Sequence, residues 1–256
     1  MIRRKKIRIS ATLSALAMTF TLTGAAYGAG IETEIETEIE TEIQEISVQE
    51  ENDLLPGQDF DVREVQNQYR YDDTVNQLLF VSCEDRSRAH IQFYVKEKGV
   101  EDLPVWSIDR ECDGFIGKEG PGKTREGDSK TPLGVFSVTT AFGIKENPGT
   151  EMDYVNVTDD IYCCGCEEYY NQIISAEETG HVCEDGEHMI YYSPEYNYGL
   201  FIDYNKENEV GLGSAIFIHC IGMKPYTGGC VAIPEEDLKY ILMHSDPTLK
   251  VMIQKF

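Results

Sequence analysis

Eight short apolar or alternating runs set the limits on what this chain can fold into: residues 77–82, 89–95, 104–108, 134–139, 189–193, 200–204, 215–220 and 249–254. Each has the length of a strand and is rich in Val, Ile, Phe and Tyr. Gly, Pro, Asn and Asp bound them, and such residues end strands in turns. Many short strands of this kind pack as a mainly antiparallel sandwich or barrel. One helix breaks the pattern. Pro234 suits a helix start, Glu235, Glu236 and Asp237 complement the positive end of the helix dipole, and Leu238, Ile241 and Leu242 form an apolar stripe. The expected fold is therefore mainly β, with a short helix near the C-terminus.

Before the first run lie two segments of different character. Arg3, Arg4, Lys5, Lys6 and Arg8 precede a largely apolar stretch, and small residues follow around 25–30. That order is the order of an export signal over 1–28, either cleaved or retained as an anchor. Residues 29–75 read as an acidic low-complexity linker and lead-in, with Ile-Glu-Thr-Glu repeated through its first part and like charges repelling one another. Residues 76–256 then form one domain. The formal net charge is −24, and loss of the five basic residues in 1–28 takes it to −29. A chain so acidic is not expected to bind nucleic acid or an anionic surface through general electrostatics.

The chemistry concentrates near the C-terminus. Within 215–220, period two puts Ala215, Phe217 and His219 on one face and Ile216, Ile218 and Cys220 on the other, so Cys220 is expected in the core. Further on, Thr227-Gly228-Gly229-Cys230 sets a second cysteine in a glycine turn. A thiol becomes an effective nucleophile when a neighbouring imidazole takes its proton. Cys230 is thus the candidate nucleophile and His219 its base. The N–H groups of Gly229 and Cys230 are candidate oxyanion donors for acyl transfer. Tyr226 and Thr227 flank the turn. Arg125 and Lys130, with Lys118 and Lys123, stand together in a glycine-rich block and offer either a site for a carboxylate or a solvated loop.

These residues resemble the catalytic core of the L,D-transpeptidases, the YkuD-type family of cell-wall enzymes. The block Gly117-Lys-Glu-Gly-Pro-Gly-Lys-Thr-Arg-Glu-Gly-Asp128, running into Lys130-Thr-Pro-Leu-Gly-Val-Phe136, is similar to that family's TPxGxF region and stands in the family's order. Glu168-Tyr-Tyr-Asn171 and Tyr196-Asn-Tyr-Gly-Leu-Phe-Ile-Asp-Tyr-Asn205 are similar to a Gram-positive subgroup. The resemblance implies a β-sandwich and an exported enzyme without metal or cofactor, forming 3–3 cross-links between peptidoglycan stem peptides through a thioester. It also allows an L,D-carboxypeptidase, or a wall-binding module that kept the fold, against which the intact Cys230 and His219 argue. Two departures stand out: Gly228 occupies a position where many members carry histidine, and Val231-Ala232-Ile233 replaces a stretch that often contains arginine.

The chain has eight cysteines. With Cys230 as nucleophile seven remain, an odd number for disulfide pairing. Cys163-Cys164-Gly165-Cys166, followed by His181, Cys183 and His188, admits a disulfide, free thiols, or a zinc site in which Cys163 and Cys166 supply the two-residue gap. The segment from 162 to 171 is expected to lie over the active-site groove.

Overall fold

The computed structural model describes residues 62–100 and 103–256. The export signal expected over 1–28 and the acidic repeat up to residue 61 lie outside the described residues. Among the described residues are twelve strands: β1 (Gln77–Asp85), β2 (Arg88–Lys98), β3 (Pro104–Phe115), β4 (Gly134–Gly143), β5 (Tyr154–Asn156), β6 (Ile161–Cys164), β7 (Gln172–Ser175), β8 (Gly186–His188), β9 (Gly199–Ile202), β10 (Phe217–Cys220), β11 (Val231–Ile233) and β12 (Leu249–Lys255). Nine of them form one sheet in the order β12-β1-β2-β3-β11-β10-β9-β4-β5. A further pairing of β12 with β4 closes it, leaving β5 as an extension on β4. The result is a sandwich whose edges meet, so the hydrogen-bonding edges a flat sheet would expose are paired. Antiparallel pairings dominate, with parallel ones at β1–β12, β10–β11 and β4–β5.

Strand alternation decides which residues fill the interior. Leu79, Val81, Ile91, Phe93, Leu200, Ile218 and Val251 point inward into one cluster. Leu238, Ile241 and Leu242 from the helix Glu235–His244 join them, as their spacing in the sequence requires. Each fully buried side chain of this size contributes roughly 1.5–3 kcal/mol. On the outer face of β1, β2 and β12, Leu78, Phe80, Tyr94 and Met252 are covered by Val65, Tyr69 and Val75, the first of these from the helix Val62–Gln68. The lead-in read as linker thus contains packed residues from Val62 onward, tied down by Trp106 Nε1–H donating to the Gln66 carbonyl at 2.8 Å.

A third cluster lies on the outer face of β4, β9 and β10. Phe142, Phe201 and Phe217 are covered there by Val157, Ile161, Cys163, Met189 and Tyr196. The covering residues belong to the chain between β5 and β9, which carries its own three-stranded sheet in the order β7-β6-β8. This small sheet and its turns form a cap. The run 189–193, expected as a strand, is instead a 3-10 turn over Met189–Tyr191. Met189 is fully buried while Tyr191 is 75 % exposed, so the run plugs the cap with one residue and does not alternate as a strand would.

Candidate active site

Cys230 lies where the barrel's outer face meets the cap. β10 and β11 are parallel neighbours, with Ile218 beside Val231 and His219 beside Ala232. Cys230 immediately precedes β11, and the Phe217 N–H donates to its Sγ at 3.3 Å. Phe217 and His219 share a face of β10, so the thiol and the imidazole are on the same side of the sheet. Cys220 is on the other side, fully buried in the barrel interior, as expected from period two.

The turn that presents Cys230 is held by hydroxyls. Thr227 Oγ1 donates to the Cys230 carbonyl at 2.6 Å and accepts the Gly229 N–H at 3.1 Å. Thr131, fully buried in the TPxGxF-like block, donates to the same carbonyl at 3.3 Å and accepts the Gly117 N–H at 2.8 Å. Two motifs about a hundred residues apart in sequence therefore meet at one backbone oxygen. Gly229, expected as an oxyanion donor, is engaged within the turn. Its N–H is directed to Thr227 Oγ1 and not into the cavity.

Cys230 Sγ donates to the Ala215 carbonyl at 3.0 Å. Burial pushes the thiol up to about 12; Glu187 adds to the rise, while the Phe217 N–H and Lys123 oppose it. His219 is buried too, and burial lowers its pKa below 6.5 against the raising effects of the Cys220 carbonyl and Glu195. The imidazole Nδ1 faces the Cys220 carbonyl at 2.8 Å. A carbonyl can only accept, so Nδ1 carries the proton and Nε2 keeps its lone pair. The resting site thus pairs a neutral thiol with a neutral imidazole. Tyr196 meets the His219 ring edge-on, with centroids 5.7 Å apart, and its hydroxyl donates to Glu187.

Both residues line a cavity of about 660 Å³ between the barrel and the cap. Tyr226, Thr227, Gly228 and Gly229 contribute to its wall, as do Cys163, Gly165 and Tyr170 from the cap. The cap segment expected to cover the groove does so. Tyr170 fastens it, donating to Glu126 at 2.6 Å, which also accepts from Ser214 at 2.8 Å.

The cationic residues are arranged differently from the expectation. Arg125 is exposed and Lys130 half-buried, and neither lines the cavity. Lys123 does, with a side chain 1 % exposed and Nζ 3.1 Å from Asp128. Burial would raise the Asp128 pKa, but the N–H groups of Thr124, Lys130 and Arg125 together with Lys123 outweigh it and hold the carboxyl down at about 2. Lys224 also lines the cavity, its Nζ 5.9 Å from the Tyr226 ring centroid. The stretch Val231–Ile233, where an arginine was missed, is fully buried as a central strand. Glu187 carried no motif that could have singled it out, and Tyr196 and Lys123 stood in motifs without a role assigned to either alone.

A cysteine–histidine contact lies outside the cavity. Cys164 Sγ is 3.5 Å from His181 Nε2, in a group with Cys166 and Cys183. All eight cysteines are free thiols in this structure.

A closed β-barrel-like sandwich with a buried thiol and imidazole on one cavity wall has the parts of a cysteine-dependent acyltransferase. The family model for the L,D-transpeptidase catalytic domain, YkuD, matches residues 85–253, and the chain belongs to that family. Its members act on peptidoglycan stem peptides by cysteine-dependent catalysis of the L,D-transpeptidase type. A search of curated proteins returned no match.

Proposed function

We propose that this chain is a peptidoglycan L,D-transpeptidase that forms 3–3 cross-links, with Cys230 as nucleophile and His219 as its base. The observation that carries the reading is the placement of both groups on one cavity wall, with a lone pair left on His219 Nε2. The donor stem's third-residue carbonyl carbon is attacked by Cys230 Sγ as the thiol proton passes to His219. The Cys230 N–H holds the resulting oxyanion, a kind of contact worth roughly 3 kcal/mol. Collapse breaks the bond to the terminal D-alanine, whose amine takes the proton from His219, leaving a thioester. A side-chain amine of a second stem then attacks the thioester, giving up a proton to His219, and the returning proton restores the thiol. Splitting the reaction at a covalent intermediate makes each half easier.

Stem peptides carry carboxylates, and Lys224 beside Tyr226 offers a cation at the cavity wall to meet one. The reaction needs neither nucleotide nor redox group. Residues 1–28 fit an export signal, which would deliver the enzyme to the wall it acts on. Incubation of the purified chain with defined tetrapeptide muropeptides, followed by mass spectrometry, tests the reading. Cross-linked 3–3 dimers are expected. Tripeptides alone would make it an L,D-carboxypeptidase, and unchanged substrate would leave a wall-binding module.

A further inference from the structure

We propose that Cys164, Cys166, His181 and Cys183 form a structural site for a thiophilic divalent cation, zinc by the chemistry of its donors, that staples the cap shut over the cavity. The four ligand atoms lie within 4.8 Å of one another. This departs from both expectations drawn from the sequence. The chain was read as metal-free, and the zinc alternative used Cys163 with Cys166. Adjacent residues on a strand point to opposite faces. Cys163 therefore packs inward beside Cys230, while Cys164 turns outward to the cluster.

The donor set is specific. Three thiols and one imidazole at a common point match the Cys₃His sites of structural zinc, in which all four positions are filled by protein. With Zn–S near 2.3 Å, two thiolates on a tetrahedral ion sit about 3.8 Å apart, so Cys164 and Cys183, now 2.9 Å apart, would open by about 1 Å. A single disulfide would consume two of the thiols and leave the third thiol and the imidazole unexplained.

The surroundings also suit a metal. His181 turns Nε2 toward Cys164 at 3.5 Å and Nδ1 toward a Glu168 carboxylate oxygen at 3.7 Å, the carboxylate–histidine arrangement that orients an imidazole ligand. The Cys166 N–H donates to Cys164 Sγ at 3.4 Å. Gly186 lets the two ligand-bearing turns close on each other, since a Cβ there would stand 2.7 Å from Cys183 Sγ and 2.6 Å from the Cys163 carbonyl oxygen.

The cap gives a reason for such a site. Its strands have three or four residues and little core of their own, and small units of this kind depend on a staple. Cys164 and Cys166 lie at the end of β6, while His181 and Cys183 lie just before β8. An ion held by all four joins the two ends of the cap whose Cys163, Gly165, Asp185 and Glu187 line the cavity.

The full chain, purified with reductant and without chelator, is expected to carry about one zinc per molecule by elemental mass spectrometry. Cobalt(II) added to the chelated protein should give thiolate-to-cobalt charge-transfer bands and the intense d–d bands of a tetrahedral ion, which zinc then abolishes. Cys183→Ser should reduce bound zinc at least tenfold, whereas Cys112→Ser, on β3, should retain it. If Cys183→Ser does not fold, the cobalt spectrum of the wild-type chain decides. A folded wild-type chain with no bound zinc and only the weak spectrum of octahedral cobalt would overturn the proposal. A Cys164–Cys183 disulfide in non-reduced peptide maps of the chain purified without chelator or reductant, with no zinc bound, would do the same.

Discussion

The Thr227 hydroxyl donates to the Cys230 carbonyl at 2.6 Å and accepts the Gly229 N–H at 3.1 Å, so one buried side chain closes the turn that presents the thiol. Thr227→Val keeps the shape and removes both bonds. A buried N–H left without a partner costs about 1–3 kcal/mol. The variant should therefore melt several degrees lower and acylate at least tenfold more slowly, while Thr227→Ser restores both. Thermal melts and intact-mass measurement of acyl-enzyme formation check this, and a fully active Thr227→Val would show that the hydroxyl does not set the turn.

The two glycines of the turn should respond in opposite ways. Gly228 faces open space, with nothing within 4 Å of an added Cβ, so Gly228→Ala is expected to fold and acylate normally. Gly229 has φ of +154° and its Cβ would stand 2.9 Å from the Lys130 carbonyl oxygen and 3.3 Å from Ile216. Strain at such a position is on the order of 1–3 kcal/mol. Gly229→Ala should lose most activity even where it folds. Equal behaviour of the two variants in the same acylation assay would contradict this geometry.

Cys230→Ala should abolish acyl-enzyme formation yet leave the barrel folded, because the thiol lies in a turn between the barrel and the cap. Cys220→Ala should keep activity and lose stability on the order of 1 kcal/mol, since that thiol only fills the interior. A trapped thioester in Cys230→Ala would remove this residue from the mechanism.

What the sequence disclosed follows from how each residue is placed. Val, Ile, Leu and Phe runs bounded by turn residues exposed β1, β2, β4, β9 and β12, whose inner faces fill the barrel and whose outer faces are covered in part by the lead-in and the cap. Period two separated His219 from Cys220 correctly. Such runs misled for 189–193, where an apolar run serves a turn, and were missing for β6, β7 and β8, whose three or four residues mix Cys, Gln, Ser, Glu and His with the apolar ones, and for the three-residue β11. Spacing in sequence favoured Cys163 as a partner of Cys166, whereas the strand turns Cys163 toward Cys230 and Cys164 toward Cys166, His181 and Cys183. Lys123 was hidden among its neighbours because glycines with positive φ at 122 and 127 fold the loop so that it alone turns inward, while Arg125 stays in water. No linear pattern records such a reversal.

Glu187 should restrain the thiol. Burial is the larger cause of the raised Cys230 pKa, and the Glu187 carboxylate adds to it. Glu187→Gln keeps an acceptor for Tyr196 and removes the charge. Iodoacetamide should then alkylate Cys230 faster at pH 8, by roughly three- to tenfold if the thiol pKa falls by half to one unit. Intact-mass time courses measure the rate. Slower alkylation in the variant would show that the carboxylate supports the thiolate and reverse its assigned role.

His219, proposed as the base, has the most exposed signature. His219 is held neutral by burial, with its pKa lowered from 6.5, so the acylation rate should rise with pH through an inflection below that value. The same shift has a consequence for stability. The unfolded chain binds a proton at this histidine more readily than the folded chain, so ν_U exceeds ν_N and stability increases with pH in this window. The contribution is fully present above 6.5 and is lost as the pH falls toward the lowered folded value. His219→Gln retains hydrogen-bonding capacity and cannot titrate. It should slow acylation by about 10² or more, remove the acid limb of the pH–rate profile, and flatten the dependence of Tm on pH below 6.5. Paired rate profiles and melts of wild type and variant separate the two roles. A Tm profile that flattens while the acid limb of the rate persists would make His219 a packed core residue and assign proton transfer to another group.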